Sequence, residues 1–337
     1  MSQKFRVLLV GLGGMGRPHA RAYADSVDFE IVGIVTRRRA SVPAEFGSLP
    51  YWSDYAAALA ATGPDLVVIS TYSETHADFA IAAMEAGAHV FVEKPLATNV
   101  ADAERVVAAA RRLSRKLLVG YILRHHPLWQ RLVAEARGLG GPYVFRIALN
   151  QPSAGPAWET HKQLMQTVSP IVDCGVHYVD VMAQISDAPA REVRGMGLRL
   201  TGEIAPDMYN YGQFQLLFAD SSLGWFETGW GPMISAVGQT IMDIVTPAGA
   251  LSLVEDANGS RSLALRRLGA DRAEIVMAPG PMPRDLLCAF QRDYMARVMR
   301  EDIDLSGHLD DAVQSLRICL AAETSIARGE PVLLAAP

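Results

Sequence analysis

The segment Phe5–Gly16, FRVLLVGLGGMG, constrains the fold more than any other part of the chain. Val7, Leu8, Leu9 and Val10 form a short continuous apolar run, which suits a parallel strand covered on both faces, since a half-exposed strand would alternate. Gly11 ends the run. Gly11, Gly13 and Gly16 then follow the pattern G-x-G-x-x-G, in which the first glycine permits a tight turn, the second admits a pyrophosphate against the backbone, and the third lets helix pack on strand. A helix starting here would aim its free N–H groups at an anion. Gly11, Leu12, Gly13, Gly14, Met15 and Gly16 are the first candidate cofactor contacts.

Helix and strand alternate from there. The pattern predicts helices over Met15–Asp25, Tyr55–Ala61 (behind Ser53 or Asp54), Glu74–Gly87 and Val100–Leu113 (behind Thr98 or Asn99). Strands are predicted over Phe29–Thr36, Asp65–Ser70, Ala88–Val92 and Lys116–Tyr121. Such alternation gives an α/β Rossmann domain with a doubly wound, mostly parallel sheet, expected over residues 1–123.

The carboxyl ends of these strands carry the chemistry. After Phe29–Thr36 come Arg37 and Arg38, whereas the nearest upstream carboxylate, Glu30, lies at the wrong end of the strand. A carboxylate at this point binds a ribose 2′-hydroxyl and an arginine accommodates a 2′-phosphate, so NADP is expected over NAD; stacking of arginine on the adenine of either cofactor is the competing role. Thr36, Arg37 and Arg38 join the cofactor candidates, as do Ser70, Thr71, His76 and Glu93. His76 stands in the first turn of its helix, either as an exposed polar residue or as a ligand contact. Lys94 follows at the end of Ala88–Val92, where its ammonium could polarise a carbonyl oxygen beside the nicotinamide. Pro95 fixes the backbone behind it, and the Lys94–Pro95 bond is expected to be cis.

Residues 124–337 change character. A helix over Leu128–Arg137, a strand over Val144–Leu149 and a loop over Gln151–His161 precede a helix over Pro170–Ile185. Asp173, His177 and Asp180 share one face of that helix by their spacing. A carboxylate one turn from an imidazole orients it and stabilises its charged form, which suits acid–base work near neutral pH. Asp180 either bonds the second histidine nitrogen or holds the helix. Tyr121, Arg124, Trp158 and His161 are further substrate candidates; Trp158 and His161 either overhang the site or anchor their loop. His125 and His126 are adjacent, cannot face one way on a helix, and make a poor metal pair. Strand-like runs over Arg191–Thr201, Tyr209–Phe218, Ser222–Thr228, Thr240–Thr246 and Ala250–Glu255 are joined by short turns, which favours antiparallel pairing. Helices over Pro283–Arg300 and His308–Arg328 follow.

Three motifs in register, GLGGMG at Gly11–Gly16, FVEKPLA at Phe91–Ala97 and DCGVHYVD at Asp173–Asp180, resemble the glucose-fructose oxidoreductase, inositol dehydrogenase and MocA family along nearly the whole chain. The resemblance implies an NAD(P)-dependent oxidoreductase acting on a sugar, cyclitol or related polyol. It also implies that the second domain is α+β with an open, mostly antiparallel sheet. Lys94, Asp173 and His177 are then the catalytic candidates, and all three are candidates for substrate contact. Members often carry a glycine pair ahead of the catalytic helix, where this chain has Ser169 and Pro170. Two other readings compete: a non-catalytic nucleotide-binding sensor, and glycosidase-type chemistry through transient oxidation by a tightly held NAD.

The length of 337 residues exceeds what one core usually serves, hence two domains. A net charge of -5 with 20% charged residues argues against nucleic acid as a partner. No apolar run approaches the roughly twenty residues a membrane span needs. Cys174, Cys288 and Cys319 offer neither a disulfide framework nor a CxxC metal site, and with a first segment that reads as strand rather than signal peptide they point to the cytoplasm and to no metal. The open sheet could cover its free face by assembly into a homodimer or homotetramer, with Tyr211, Phe214, Phe218, Trp225 and Phe226 in the sheet core or the subunit interface.

Overall fold

A computed structural model describes residues 4–236, 240–256, 260–278, 280 and 282–335, apart from the side chain of Ser41. The chain divides into two units, Met1–His125 with Met282–Val313, and His126–Pro281 with Gln314–Pro337.

The first unit is built on the parallel strands β1 (Phe5–Val10), β2 (Phe29–Val35), β3 (Tyr51–Trp52), β4 (Leu66–Ile69), β5 (His89–Val92) and β6 (Leu117–Val119). Their order is β3-β2-β1-β4-β5-β6. Connections run outward in opposite senses from β1 and β4, so the ligand crevice of a doubly wound sheet falls at the carboxyl ends of this pair. Val7, Leu8, Leu9 and Val10 are all essentially inaccessible, as a strand covered on both faces requires. Helices α1 (Gly16–Ala24), α2 (Tyr55–Thr62), α3 (His76–Glu85) and α4 (Val100–Leu113) supply the crossovers. The caps are resolved in favour of Asp54, which accepts from Ala57 N at 2.6 Å, and Asn99, which accepts from Asp102 N at 2.8 Å.

In the second unit, α5 (Pro127–Leu139), α6 (Pro156–Leu164) and α7 (Pro170–Ile185) accompany β7 (Val144–Pro152), β8 (Ala190–Leu198), β9 (Tyr211–Phe218), β10 (Leu223–Gly231), β11 (Thr240–Thr246), β12 (Gly249–Glu255), β13 (Arg261–Arg267), β14 (Glu274–Met277) and β15 (Val332–Leu333). The sheet order is β14-β13-β12-β11-β7-β10-β9-β8-β15. β10 and β7 pair in parallel and the other described pairs are antiparallel. Alternation turns Phe214, Leu216 and Phe218 of β9 and Phe226 of β10 into the core, where Phe226 stacks on Tyr178 of α7 at 5.2 Å. The opposite face carries Leu223 beside Val144, and Trp225 beside Arg146.

The segment Gln151–His161 is not a loop. β7 extends through Pro152 and α6 begins at Pro156, because Gly155, at φ 53°, turns the chain and Pro156 is pre-set for the first helical turn. The Pro, Gly and Ser content marks a strand-to-helix boundary rather than an extended loop. The strand expected over Arg191–Thr201 ends at Leu198. β3, β13, β14 and β15 escape the sequence pattern: β3 and β15 have two residues each, and β13 is half arginine and serine by sequence.

Two helices, α8 (Arg284–Arg300) and α9 (Ser306–Arg328), lie between β14 and β15. α8 packs on α1, and its Met295, Ala296 and Val298 join Val7, Leu9, Tyr23 and Phe29 in one core cluster. The expected division at 123/124 takes no account of this return, since burial of α8 against α1 is a contact between residues nearly the whole chain apart.

Candidate active site

A ladder of backbone hydrogen bonds aligns the carboxyl ends of the first sheet. Gly11 N donates to Val35 O, Ser70 N to Val10 O, Glu93 N to Ile69 O and Gly120 N to Val92 O, each at 2.8–2.9 Å. The ladder brings Gly11, Thr36, Ser70, Glu93 and Gly120 into one row, with Arg37, Thr71, Lys94 and Tyr121 immediately after their neighbours. All of these except Gly120 were expected from sequence.

The glycine turn fits a dinucleotide. Gly11 has φ +89°, and a Cβ there would lie 2.5 Å from Ser70 O. A Cβ on Gly16 would collide with Gly11 O, so helix α1 can approach the turn this closely only with glycine. A Cβ on Gly13 or Gly14 would meet nothing within 4 Å, which leaves the backbone open on the side from which a pyrophosphate would approach. No acidic side chain stands in the first turn of α1 to oppose an anion. Leu12 is buried, whereas Met15 is partly exposed.

At the end of β2, Arg37 and Arg38 are exposed, and the Arg37 guanidinium lies 5.9 Å from the Tyr72 ring centroid. The Tyr51 hydroxyl donates to Thr36 O at 2.9 Å and holds the strand end in place. Thr71 Oγ1 and Thr75 Oγ1 are 2.6 Å apart. His76 is not the exposed polar residue that its position allowed: it is 1% exposed, with Nδ1 2.7 Å from Pro95 O and Nε2 3.2 Å from Thr71 O. Burial lowers its pKa, although the two carbonyl oxygens favour the charged form. His76 thereby ties the turn after β4 to the turn after β5.

The Lys94–Pro95 bond is cis. Lys94 is half-buried, and Glu93 beneath it is buried against His19 of α1, a residue the sequence did not single out. His19 falls three residues after Gly16, on the apolar face of α1, and that placement is its only sequence signal. Tyr121 is buried, its ring 6.0 Å from that of His308. Arg124 pairs with Asp311 at 2.6 Å. His125 is pushed down to about 4 by burial and by the Arg124 charge, and burial lowers His126 as well; His126 Nδ1 accepts from Leu128 N as the cap of α5.

In the second unit, the cap of α7 is Ser169, whose Oγ accepts from Val172 N at 3.2 Å and from the Tyr209 hydroxyl at 2.9 Å. Ser169 and Pro170 therefore start this helix by capping and by proline at its first position. Asp173 and His177, one turn apart, are the half-buried residues in an otherwise covered stretch, Pro170–Met182. Asp180 is wholly buried and its Oδ2 accepts from Gln184 Nε2 at 3.0 Å.

Next to Asp173, a wall forms that the sequence did not show. His161 stacks on Trp230 at 4.3 Å, and its Nδ1 lies 2.9 Å from Ser153 Oγ. Trp230 Nε1 donates to Gln151 Oε1 at 2.7 Å, and the Cys174 thiol points to the same oxygen at 3.4 Å. Burial lowers the pKa of His161 while the Asp173 charge acts in the opposite direction, which places Asp173 within electrostatic reach of this wall. Trp158 faces away from solvent, its Nε1 3.3 Å from Glu203 Oε2 and its ring 5.7 Å from Lys162 Nζ, so it anchors α6. Cys174, Cys288 and Cys319 are buried and form no disulfide among the described residues. No helix of the described residues is long and apolar enough to cross a membrane.

The fold is a six-stranded parallel Rossmann sheet followed by a mixed, mostly antiparallel nine-stranded sheet. Residues 5–121 match the family model GFO_IDH_MocA, described as an oxidoreductase family with an NAD-binding Rossmann fold. Inositol 2-dehydrogenase of Acidothermus cellulolyticus is 30% identical over 61% of this chain and 60% of its own length. D-glucoside 3-dehydrogenase of Escherichia coli is 29% identical over 56% of each. The chain thus spans a little over half the length of these curated relatives. The crystal structure of scyllo-inositol dehydrogenase from Lactobacillus casei with NAD(H) and scyllo-inositol superposes with a TM-score of 0.77, at 17% identity, over 98% of this chain and 99% of that one. The whole chain therefore shares that fold.

Proposed function

We propose that this protein is an NAD(P)-dependent dehydrogenase that oxidises a secondary alcohol of a sugar, cyclitol or related polyol, or reduces the corresponding ketone. The observation that carries the reading is the aligned carboxyl edge of the first sheet, which sets an open glycine turn after β1 and Lys94 after β5 on one edge, with the end of β4 between them. The inositol and glucoside dehydrogenases among its relatives support the substrate class.

Gly11–Gly16 would hold the pyrophosphate, and Ser70, Thr71 and Glu93 line the same edge. A bound nicotinamide supplies a hydride acceptor or donor at C4. In oxidation, His177 would take the hydroxyl proton, and Lys94 would stabilise the negative charge developing on oxygen. Asp173 orients the imidazole and offers an acceptor to a neighbouring hydroxyl. The proton and hydride steps reverse for reduction. Arg124, Tyr121 and His161 remain substrate-side candidates, whereas Trp158 is taken up in anchoring α6; the His161 ring is fixed on Trp230 within electrostatic reach of Asp173.

NADP is the favoured cofactor in this reading, because Arg37 and Arg38 are exposed at the end of β2 and the sequence from Thr36 to Arg39 carries no Asp or Glu. The similar structure from Lactobacillus casei holds NAD(H), so the preference rests on these two arginines alone. A second copy of the chain is the proposed cover for the free face of the second sheet. There the row Glu192, Leu217, Leu223, Val144 and Val245 runs beside the row Arg194, Gln215, Trp225, Arg146 and Asp243, combining apolar surface with charges of both signs. The three buried thiols suit a reducing compartment, and a cytoplasmic location is part of the proposal.

The test is a panel of cyclitols, sugars and keto-sugars offered to purified protein with NAD or NADP and followed at the nicotinamide absorbance. Turnover with one polyol class supports the assignment. Tight cofactor binding with no turnover across the panel favours a nucleotide-binding sensor instead.

A further inference from the structure

We propose that His19 and Glu93 are positioning residues for Lys94, an assignment that rests on Lys94 acting at the substrate oxygen as described above. Glu93 is 6% exposed and His19 is 1% exposed, so the pair lies beneath the surface on which Lys94 stands. Each oxygen of the Glu93 carboxylate has a separate task. Oε1 is 2.8 Å from His19 Nε2, and Oε2 accepts the backbone N–H of Lys94 at 3.3 Å. One carboxylate therefore fastens the Lys94 peptide to helix α1.

The surroundings hold the carboxylate in place. The His19 ring rests on Phe91 of β5 at 4.7 Å. Its Nδ1 is buried with no hydrogen-bond partner among the described residues. The tautomer that carries its proton on Nε2 donates to Glu93 and leaves an acceptor, rather than an N–H, unpaired at Nδ1, which is the less costly arrangement. Gly120, next to Glu93 at the sheet edge, closes the third side: a Cβ there would meet Glu93 Cδ and Oε2 at 3.1 Å and its Cα at 3.2 Å. On the far side of the turn His76 Nδ1 holds Pro95 O at 2.7 Å. The Lys94 peptide is thus gripped before and after by buried histidines from two different helices, which fixes the root of its side chain.

The variants Glu93→Gln, Gly120→Ala, His19→Ala and His19→Gln test this. Gln at 19 keeps an N–H donor near the place of Nε2, Ala removes it, and Ala at 120 presses on the Glu93 carboxylate while leaving both members of the pair unsubstituted. Two readouts are taken: kcat and KM with the best substrate, and the rate at which Lys94 is reductively methylated, read by peptide mass spectrometry with Lys116 as the internal standard. A displaced amine loses turnover rather than affinity, so kcat should fall about 100-fold in His19→Ala and Gly120→Ala with KM changed less than about threefold. Lys94 methylation should change several-fold relative to Lys116 in the same two variants, and His19→Gln should restore both readouts to within about fivefold of the parent protein. Melting temperatures that fall while kcat and the Lys94 rate stay within about twofold of the parent would show that the pair only stabilises the core, and would overturn the proposal. If the parent protein turns over no substrate, the dehydrogenase reading fails by itself, and the Lys94 methylation rates still decide whether His19 and Glu93 position the amine.

Discussion

His161 lies flat on Trp230, with ring centroids 4.3 Å apart and planes inclined by 11°. The indole has no freedom of its own, because its Nε1 is bonded to Gln151 Oε1 and the side chain is 1% exposed. His161 is therefore presented as a fixed ring, and its burial lowers its pKa. Trp230→Phe keeps a face for His161 but frees Gln151, and is expected to raise KM about tenfold at nearly unchanged kcat. Trp230→Ala removes a buried indole at a cost of about 3–5 kcal/mol and should lower the melting temperature as well. Steady-state kinetics and thermal melts of the two variants separate these outcomes.

The glycines of the first turn should behave differently from one another. Gly13→Ala meets no neighbour within 4 Å, so its fold should be undisturbed while the dissociation constant for the cofactor rises, because the new methyl occupies the approach of the pyrophosphate. Gly16→Ala drives a methyl into Gly11 O and should cost about 1–3 kcal/mol of stability even without cofactor. Thermal melts with and without cofactor distinguish the two.

Arg37 sets the cofactor preference in this account. Replacing it by Asp removes a guanidinium and puts a carboxylate where a 2′-phosphate would sit. A charge-assisted hydrogen bond contributes about 1.5–3 kcal/mol, so the ratio of kcat/KM for NADP to that for NAD should fall roughly 10- to 100-fold. An unchanged ratio would mean that Arg37 stacks on adenine or stays in solvent, and that NAD serves equally well.

Acid should destabilise the first unit. His308 Nε2 accepts a hydrogen bond from Val119 N at 2.9 Å and must be neutral to do so; burial and the nearby Arg124 and His125 charges push it down to about 3. His125 is pushed down to about 4 by burial and by Arg124. Both folded values lie below the ordinary imidazole value of about 6.5, so the unfolded chain binds the extra protons. Their contribution is intact above about pH 6.5 and is lost as pH falls toward the folded values, by about 2 kcal/mol each at about pH 5. His308→Gln, whose Oε1 can accept the same N–H without titrating, should flatten this part of the dependence. Denaturant melts between about pH 7 and pH 4.5 would measure it.

Local pattern was enough to read the first sheet apart from the two-residue β3, because its central strands are covered on both faces and its glycines answer to the geometry of one turn. Asp54, Asn99 and Ser169 were legible as caps for the same reason: a cap is a contact within four residues. What the sequence could not show depends on distant partners. The Trp230 wall needs β10 to lie beside β7 so that Trp230 falls opposite Gln151, and α8 declares its place only by packing on α1. His19 reads from sequence as one more polar residue on a helix, and its meaning appears only when Glu93 lies 2.8 Å away. His76 failed in the opposite direction, since a helix-start position suggests exposure until Pro95 O is found beside it.

The measurement that tests the central claim most directly uses a polyol substrate deuterated at the reacting carbon, with the parent protein, Lys94→Ala and His177→Ala. The account predicts deuterium at C4 of the reduced nicotinamide from the parent protein, and kcat lower by about 100-fold or more in each variant, in line with the loss of an acid–base group or of an oxyanion-stabilising donor. Near-normal turnover in both variants, or reduced cofactor without deuterium, would contradict it.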